Sequence, residues 1–269
     1  MNRDQRHRIL QRVFWSPLGF RVLRAAHQFS RRWSSVVLNN SLHSPTNGEY
    51  WIISQLPPQP LVFDVGFHAG DFSREVLRQR PGARIVGFDP ARPIQRLFAK
   101  TFTGETRVRL EPLALSHEAG EARFYDSATM SSSLAPGRSD HAATYPVPVS
   151  TLDIYTQQHG IGDIDLVKID AEGFDLNVLE GAGRLLDEQK IDIFLFEYAD
   201  GWINNRRFLK EAADYLAAKP YRLYRLFNGF LSPFTYHVTD ERFDLGCMFV
   251  GVSHGRRQRA PLPERVFPA

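Results

Sequence analysis

Three acidic positions stand where a parallel β-sheet would deliver them to one cleft. The first lies in Val62-Phe63-Asp64-Val65-Gly66-Phe67-His68-Ala69-Gly70-Asp71. Its glycines are spaced G-x-x-x-G. A pyrophosphate needs G-x-G-x-x-G and a helix N-terminus free of anions, whereas Asp64 and Asp71 bracket this turn. An acid there suits a cationic ligand, such as one with an α-amino group and a sulfonium, and the glycines let the backbone approach it. Taken alone, the run reads equally well as an ordinary strand–turn–helix with a capping acid. The second position ends Ile85-Val86-Gly87-Phe88-Asp89-Pro90. A carboxylate about twenty residues past the glycine turn can accept hydrogen bonds from both ribose hydroxyls, and Pro90 starts the next helix cleanly. The third is Asp165-Leu166-Val167-Lys168-Ile169-Asp170-Ala171-Glu172-Gly173. Two carboxylates and a lysine meet where an apolar strand ends, so their pKa values should be perturbed. The plain alternative is a structural Lys–Asp pair with a helix cap. The first two strand ends together favour a nucleoside-containing cofactor.

The elements that must position these groups alternate along the chain. Strands are expected at 61–65, 84–88, 108–113, 165–169, 191–197, 221–227 and 247–251. Helices are expected at 71–79, 91–102, 151–159, 175–181 and 206–218. Apolar strands separated by helices predict a mostly parallel, doubly wound α/β sheet covered on both faces. Residues 121–125 and 147–149 read as added strands around a Ser/Ala/Gly-rich loop. The helix-free stretch 227–245 suits an antiparallel return at the end of the sheet. In such sheets ligands bind at the carboxyl ends of the strands, where the strand order reverses.

The 269 residues are 43% apolar and 23% charged, enough for one substantial domain with its own core. Residues 1–56 read as a basic helical appendage, 57–254 as the main domain and 255–269 as a disordered tail rich in Arg and Pro. The break between appendage and domain is set at Pro57-Pro58-Gln59-Pro60. In the appendage, Arg3, Arg6, Arg8, Arg12, Arg21, Arg24, Arg31 and Arg32 alternate with apolar residues such as Ile9, Leu10, Val13 and Phe14. Two short amphipathic helices broken at Pro17-Leu18-Gly19 are expected. The break shortens any membrane-binding face, so at most weak, salt-sensitive peripheral contact is predicted, and packing on the domain or a dimer contact is favoured over it. Arg256, Arg257 and Arg259 form a second basic cluster. Net charge is only +3, and the near-neutral middle of the chain argues against a nucleic-acid groove. The lone Cys247, in an apolar run, reads as a buried, inert thiol. With no recognisable signal peptide, it points to a reducing cytoplasm. The oligomeric state is not legible.

The motifs also resemble a family. Val167-Lys168-Ile169-Asp170-Ala171-Glu172-Gly173 with Val178-Leu179-Glu180-Gly181-Ala182 is similar to the signature of FkbM-type methyltransferases. So are Phe63-Asp64-Val65-Gly66, Gly87-Phe88-Asp89-Pro90, Ala114-Leu115-Ser116 with Gly120-Glu121, and Val149-Ser150-Thr151-Leu152-Asp153. These motifs occur in family order over residues 61–252. The resemblance implies a class I methyltransferase (Rossmann-like) fold with a seven-stranded sheet. It also implies S-adenosylmethionine as donor and O-methylation of a sugar, glycan or secondary metabolite. By carry-over, Asp64, Gly66 and Gly70 would form the cofactor turn and Asp89 would hold the ribose. Ala114 and Leu115 would lie near the adenine, and Asp170 and Glu172 would face the transfer site. The chain departs from the family in having Phe67-His68 where Ala-Asn is common, and Asp89 where Glu is common.

Methyl transfer from a sulfonium is an in-line displacement that needs alignment and a dry site. A hydroxyl also needs a base or a metal. Asp170 is the first candidate base, then His68, then Glu172 and Glu197. No spacing demands a metal, and none is expected. Lys168 either stabilises charge or points into the helix layer without chemistry. Ser131-Ser132-Ser133, with Met130 and Leu134, is either a site border or a flexible insertion. Phe196, Tyr198 and Trp202 either stack on a sugar or, as is commoner, pack in the core. The rival readings are a nicotinamide oxidoreductase, opposed by the glycine spacing, and a non-catalytic module on the same fold, opposed by the intact Asp64, Asp89 and Asp170. A nucleic-acid methyltransferase is opposed by the lack of a basic face.

Overall fold

Alternation within each apolar run sorts its side chains onto two faces, and both faces are buried. In a computed structural model, which describes residues 17–37, 39–41, 43–127, 134, 141–241, 246–256 and 261–266, the main sheet holds eight strands. They are β1 (Leu61–Val65), β2 (Arg84–Phe88), β3 (Val108–Glu111), β7 (Ile164–Ile169), β8 (Ile191–Tyr198), β9 (Tyr221–Phe227), β10 (Phe230–Pro233) and β11 (Cys247–Ser253). Their order is β10-β9-β11-β8-β7-β1-β2-β3. Pairing is parallel from β8 through β7, β1 and β2 to β3, and antiparallel wherever β11 or β10 takes part. The sheet is therefore α/β and mostly parallel, as expected. It exceeds the expected seven strands by β10, the short return folded back on β9.

The chain runs outward from β1 to β3, then restarts on the other side of β1 with β7. The strand order thus reverses between β1 and β7, and the acids at the ends of these two strands flank the reversal point. On one face Phe63, Val65, Val167, Ile169, Phe194 and Phe196 are 0–3% exposed, packed with Tyr155 and Leu176. On the other, Val62, Leu166, Ile193 and Leu195 pack with Ile52, Ile53 and Val76. Asp64 and Lys168 share the parity of this second set. A second sheet, ordered β4-β6-β5, is built from β4 (Ala114–Leu115), β5 (Gly120–Ser127) and β6 (His141–Ser150). It extends the two strands expected around the Ser/Ala/Gly-rich loop.

The chain divides into compact units 1–40 and 41–269. In the first, helix α1 (Pro17–Val37) runs unbroken for 21 residues. It begins at Pro17, at the expected break, where a proline in a first turn lacks only an N–H that would be unbonded anyway, and it takes in Gly19. The apolar residues 9–14 of the expected preceding helix, the Ser131–Ser133 loop with Met130, and Arg257 and Arg259 lie outside the described residues.

Residues 41–56, read from sequence as part of the appendage, belong to the second unit. Helices α2 (Ser44–Asn47) and α3 (Glu49–Ser54) meet at Gly48, whose φ is 109°. A Cβ there would come within 2.7 Å of the Phe227 carbonyl oxygen, so only glycine lets the pair lie this close to β9. Ile52 and Ile53 are fully buried. The described residues 261–266 of the expected disordered tail also differ. The Leu231 N–H donates to Pro263 O at 2.8 Å, the Arg265 N–H to Leu231 O at 2.9 Å, and Leu262 is buried. Backbone pairing to the edge strand β10 and one buried leucine hold what composition alone suggested would be loose. Phe196, Tyr198 and Trp202 are core residues, and the Trp202 indole donates to the Glu197 carbonyl at 2.8 Å. Cys247 is buried, and burial pushes its thiol up to about 11, consistent with inertness.

Candidate active site

Glycine sets how closely the strand ends approach. Gly66 follows β1 with φ 78°, and a Cβ on it would lie 1.9 Å from the Asp170 carbonyl oxygen. The Asp170 N–H in turn donates to Val65 O at 3.0 Å. The Gly66 and Phe67 N–H groups both donate to Phe88 O, tying the same turn to β2. Gly87 leaves room for the Phe67 ring, which a Cβ would meet at 2.2 Å. Phe67 then packs edge-on against Phe98 and Phe102. Of the two residues by which the turn departs from the family pattern, Phe67 is core and His68 is exposed at the cavity, with φ 49°.

Asp89, at the end of β2, is fixed by main chain on both oxygens. Oδ2 accepts the His68 N–H and Oδ1 the Ala91 N–H, each at 2.9 Å. Each oxygen keeps a further lone pair for a ligand hydroxyl. Burial raises the pKa of this carboxyl despite those two bonds. His68 therefore contributes at least its backbone, which holds Asp89 in place.

At the end of β7 the arrangement is ionic. Lys168 Nζ lies 2.9 Å from Asp170 Oδ2 and 3.9 Å from Asp64 Oδ1, and 5.8 Å from the centre of the Phe72 ring. Lys168 does point into the helix layer, but from there it reaches Asp170. Burial works against its ammonium; Asp170, Asp64 and Glu49 override that and hold its pKa above the ordinary value. Asp64 is fully buried and accepts from the Ser73 hydroxyl at 2.7 Å. Its Oδ1 has no hydrogen-bond partner, and burial pushes this carboxyl up to about 6. Glu49, buried in α3 and held by Asn47, is likewise raised by burial.

Asp170 is the exception among these acids. Burial opposes its charge, but Lys168 and a hydrogen bond with Glu197 hold its pKa below the ordinary value. Glu197 is driven well upward by burial and then by the Asp170 charge, so it carries the proton of that hydrogen bond. Burial raises Glu172 to about 7, with Asp170 and Asp200 adding to the effect. The loop is built tightly. Glu172 has φ 52° and Gly173 φ 96°, and a Cβ on Gly173 would sit 2.2 Å from the Gly201 carbonyl oxygen. The buried Asp175 accepts the Gly173 N–H at 3.3 Å and the Glu197 N–H at 3.2 Å, clamping the loop to β8. One carboxylate is therefore paired with an ammonium and stands among acids whose pKa values burial raises.

These groups border a cavity of about 410 Å³. Of the residues singled out from sequence, Gly66, His68, Asp89, Ala114, Leu115, Asp170 and Glu172 line it. Asp64 and Gly70 do not. Asp64 lies beneath the turn, and Gly70, φ 75°, caps helix α4 (Asp71–Gln79) against the Phe67 and Phe102 rings. Their contribution is to the turn's shape and to Lys168, without lining the cavity. The end away from Asp170 is walled by Ala91, Pro93, Ile94, Phe124 and Leu134, with Asp126 accepting from the Tyr145 hydroxyl at 2.9 Å. Phe124 and Asp126 come from the second sheet and were not singled out from sequence, although their strand was. Glu49 and Asp175 carried no motif at all. Among the described residues no three His, Cys, Asp or Glu side chains are grouped to hold a metal ion.

The family model described as "Methyltransferase FkbM domain" matches residues 64–223. The chain is 26% identical over 161 residues to "2-O-methyltransferase NoeI" of Sinorhizobium fredii (strain NBRC 101917 / NGR234), covering 53% of this chain and 65% of that protein. It is 28% identical over 158 residues to "31-O-demethyl-FK506 methyltransferase FkbM" of Streptomyces tacrolimicus, covering 47% and 61%. The matches thus span less than two thirds of these curated relatives. A crystal structure of methyltransferase FkbM from Methylobacillus flagellatus KT superposes with a TM-score of 0.46 at 14% identity, covering 74% of this chain and 47% of that one.

Proposed function

The chain belongs to the methyltransferase FkbM domain family, and from that membership we propose that it is an S-adenosylmethionine-dependent O-methyltransferase acting on a hydroxyl of a sugar, glycan or secondary metabolite. Both curated relatives bear names that specify a methylated oxygen. The observation that carries the reading is Asp170: an ionised carboxylate facing the same cavity as the doubly anchored Asp89. When bound, S-adenosylmethionine supplies an activated methyl group on a sulfonium. The residues present fit it. The Gly66 turn admits backbone contact, and Asp89 has lone pairs for the ribose hydroxyls. Ala91, Ile94, Leu115 and Phe124 offer an apolar slot for the adenine, and Asp170 offers negative charge near the cationic end.

Asp170 also serves as the acceptor of the hydroxyl proton. Lys168 keeps it ionised, and the Glu197 acid holds its orientation. Its low pKa is not a handicap, because the oxygen becomes strongly acidic as it is alkylated, and a weak base then suffices. Glu172, whose pKa of about 7 lies near neutral pH, flanks the same opening and can relay the proton to solvent. His68, exposed at the rim, is the alternative base. Ile94 and Phe124 restrict water at the other end.

Calorimetry with S-adenosylmethionine and with NAD tests the cofactor. Mass spectrometry of acceptors incubated with methyl-labelled donor then locates the product. Donor binding and label on oxygen are expected. Binding of NAD alone, or label on nitrogen, would overturn the reading.

A further inference from the structure

Helix α1 spans 21 residues without one acidic side chain. Leu18, Val22, Phe29, Trp33 and Val36 recur at spacings of four, seven, four and three, which is one stripe of an α-helix. All five are exposed, from 53% for Val22 to 73% for Val36, and Phe29 and Trp33 pack edge to face along the stripe. At the same helical spacing Arg21 flanks the stripe and Arg24 lies on the far side beside the exposed Phe20. A helix of this length with an exposed aromatic stripe is poorly suited to water alone. No described helix is long and apolar enough to cross a membrane, so this one is suited to lie on a surface instead.

We propose that α1 is a lipid-binding element that lies in the interface of an anionic bilayer, its Leu18–Val36 stripe immersed and its arginines among the headgroups. The charge pattern selects this occupant. An apolar protein partner needs no particular charge beside the stripe, whereas an acid-free helix flanked by arginines complements anionic headgroups. Trp33 and Phe29 belong at the depth where ring and headgroup meet. The helix begins at Pro17 and takes in Gly19, so Leu18 joins the immersed face.

The test is flotation of the full chain with vesicles of neutral phosphatidylcholine, or of phosphatidylcholine with 30% phosphatidylglycerol (roughly the anionic fraction needed to set up an attractive surface field). The wild type is expected to float with anionic vesicles and at least about tenfold less with neutral ones, the difference shrinking in high salt. The double variant F29S/W33S should lose about tenfold or more in partitioning while keeping the thermal unfolding midpoint of the 41–269 unit. R21E/R24E should lose binding to anionic vesicles only. If the wild type fails to float, or if the stripe variants change a concentration-dependent dimer and leave vesicle binding untouched, the proposal is wrong and the stripe is a contact between copies.

Discussion

The two ends of the cavity are built on opposite principles. At the β2 end the Asp89 carboxylate is held by two backbone N–H groups beside apolar walls, with Asp126 further along. Its position is set by main chain alone. At the β7 end Asp170 is set by side chains: an ammonium, a protonated Glu197 and a loop with two successive positive-φ residues. Main-chain anchoring suits a group that must keep its shape and recognise hydroxyls. A network of titratable side chains suits a group whose charge must change during a reaction, and strained backbone concentrates at such places. On the proposed function, recognition and chemistry would be separated along one cleft, and each end could be perturbed without the other.

The strongest attempt to break this contrast is Asp170→Asn. Turnover should fall about 10²–10⁴-fold with donor affinity nearly unchanged. His68→Ala should cost far less; the reverse ranking, measured on the same acceptor, would move the base to His68. Next comes Lys168→Met, which strands the buried Asp64 and removes the partner of Asp170. Because Asp170 is partly exposed, the loss should sit near the low end for buried pairs, about 3 kcal/mol. Urea unfolding reads this, and an unchanged midpoint would deny that the network is structural. At the other end, Asp89→Ala should weaken S-adenosylmethionine about 10- to 1,000-fold, from two lost bonds to a charged group. Its unfolding midpoint should shift little. If turnover at saturating donor collapses instead, the division of labour fails.

The smallest effect concerns pH. Glu172 has a folded pKa of about 7 against an ordinary 4.5. Between those values the folded state binds more protons than the unfolded, so this group makes stability fall as pH rises from about 4.5 to 7. The full shift would correspond to about 3 kcal/mol, and partial exposure reduces it to about 1. Glu172→Gln should flatten the decline in urea midpoint from pH 5 to pH 8 by that amount. Identical slopes would show that burial and the neighbouring acids do not raise Glu172.

Much of this was legible in the sequence because strand ends carry their own punctuation. Gly66, Asp89 and Asp170 each follow an apolar run and precede a helix, so period and turn residues alone put them at one edge. What was not legible came from distant parts of the chain. Glu49 acts on the charge of Lys168 only because α3 packs on the face that β1 and β7 share. Glu197 reads as a strand residue until its register beside Asp170 is known. Phe124 and Asp126 reach the cavity because a second sheet folds over its end, and alternation in a short strand does not reveal where that sheet docks. The proline run at 57–60 misled for a local reason. It ends a helix, but Ile52 and Ile53 before it are fully buried in the domain beyond it.

That last feature bears on how such proteins can be recombined. The stretch bearing the recognisable motifs begins at β1, yet the helix before it packs on one side of the sheet and carries a carboxyl whose charge favours the ammonium of Lys168. A crossover that joined this catalytic sheet to a foreign leader just upstream of Asp64 would inherit every motif and lack both the plug and the counter-charge. The smallest segment that evolution or an engineer can move intact therefore starts near residue 41, well before the first residue that looks functional.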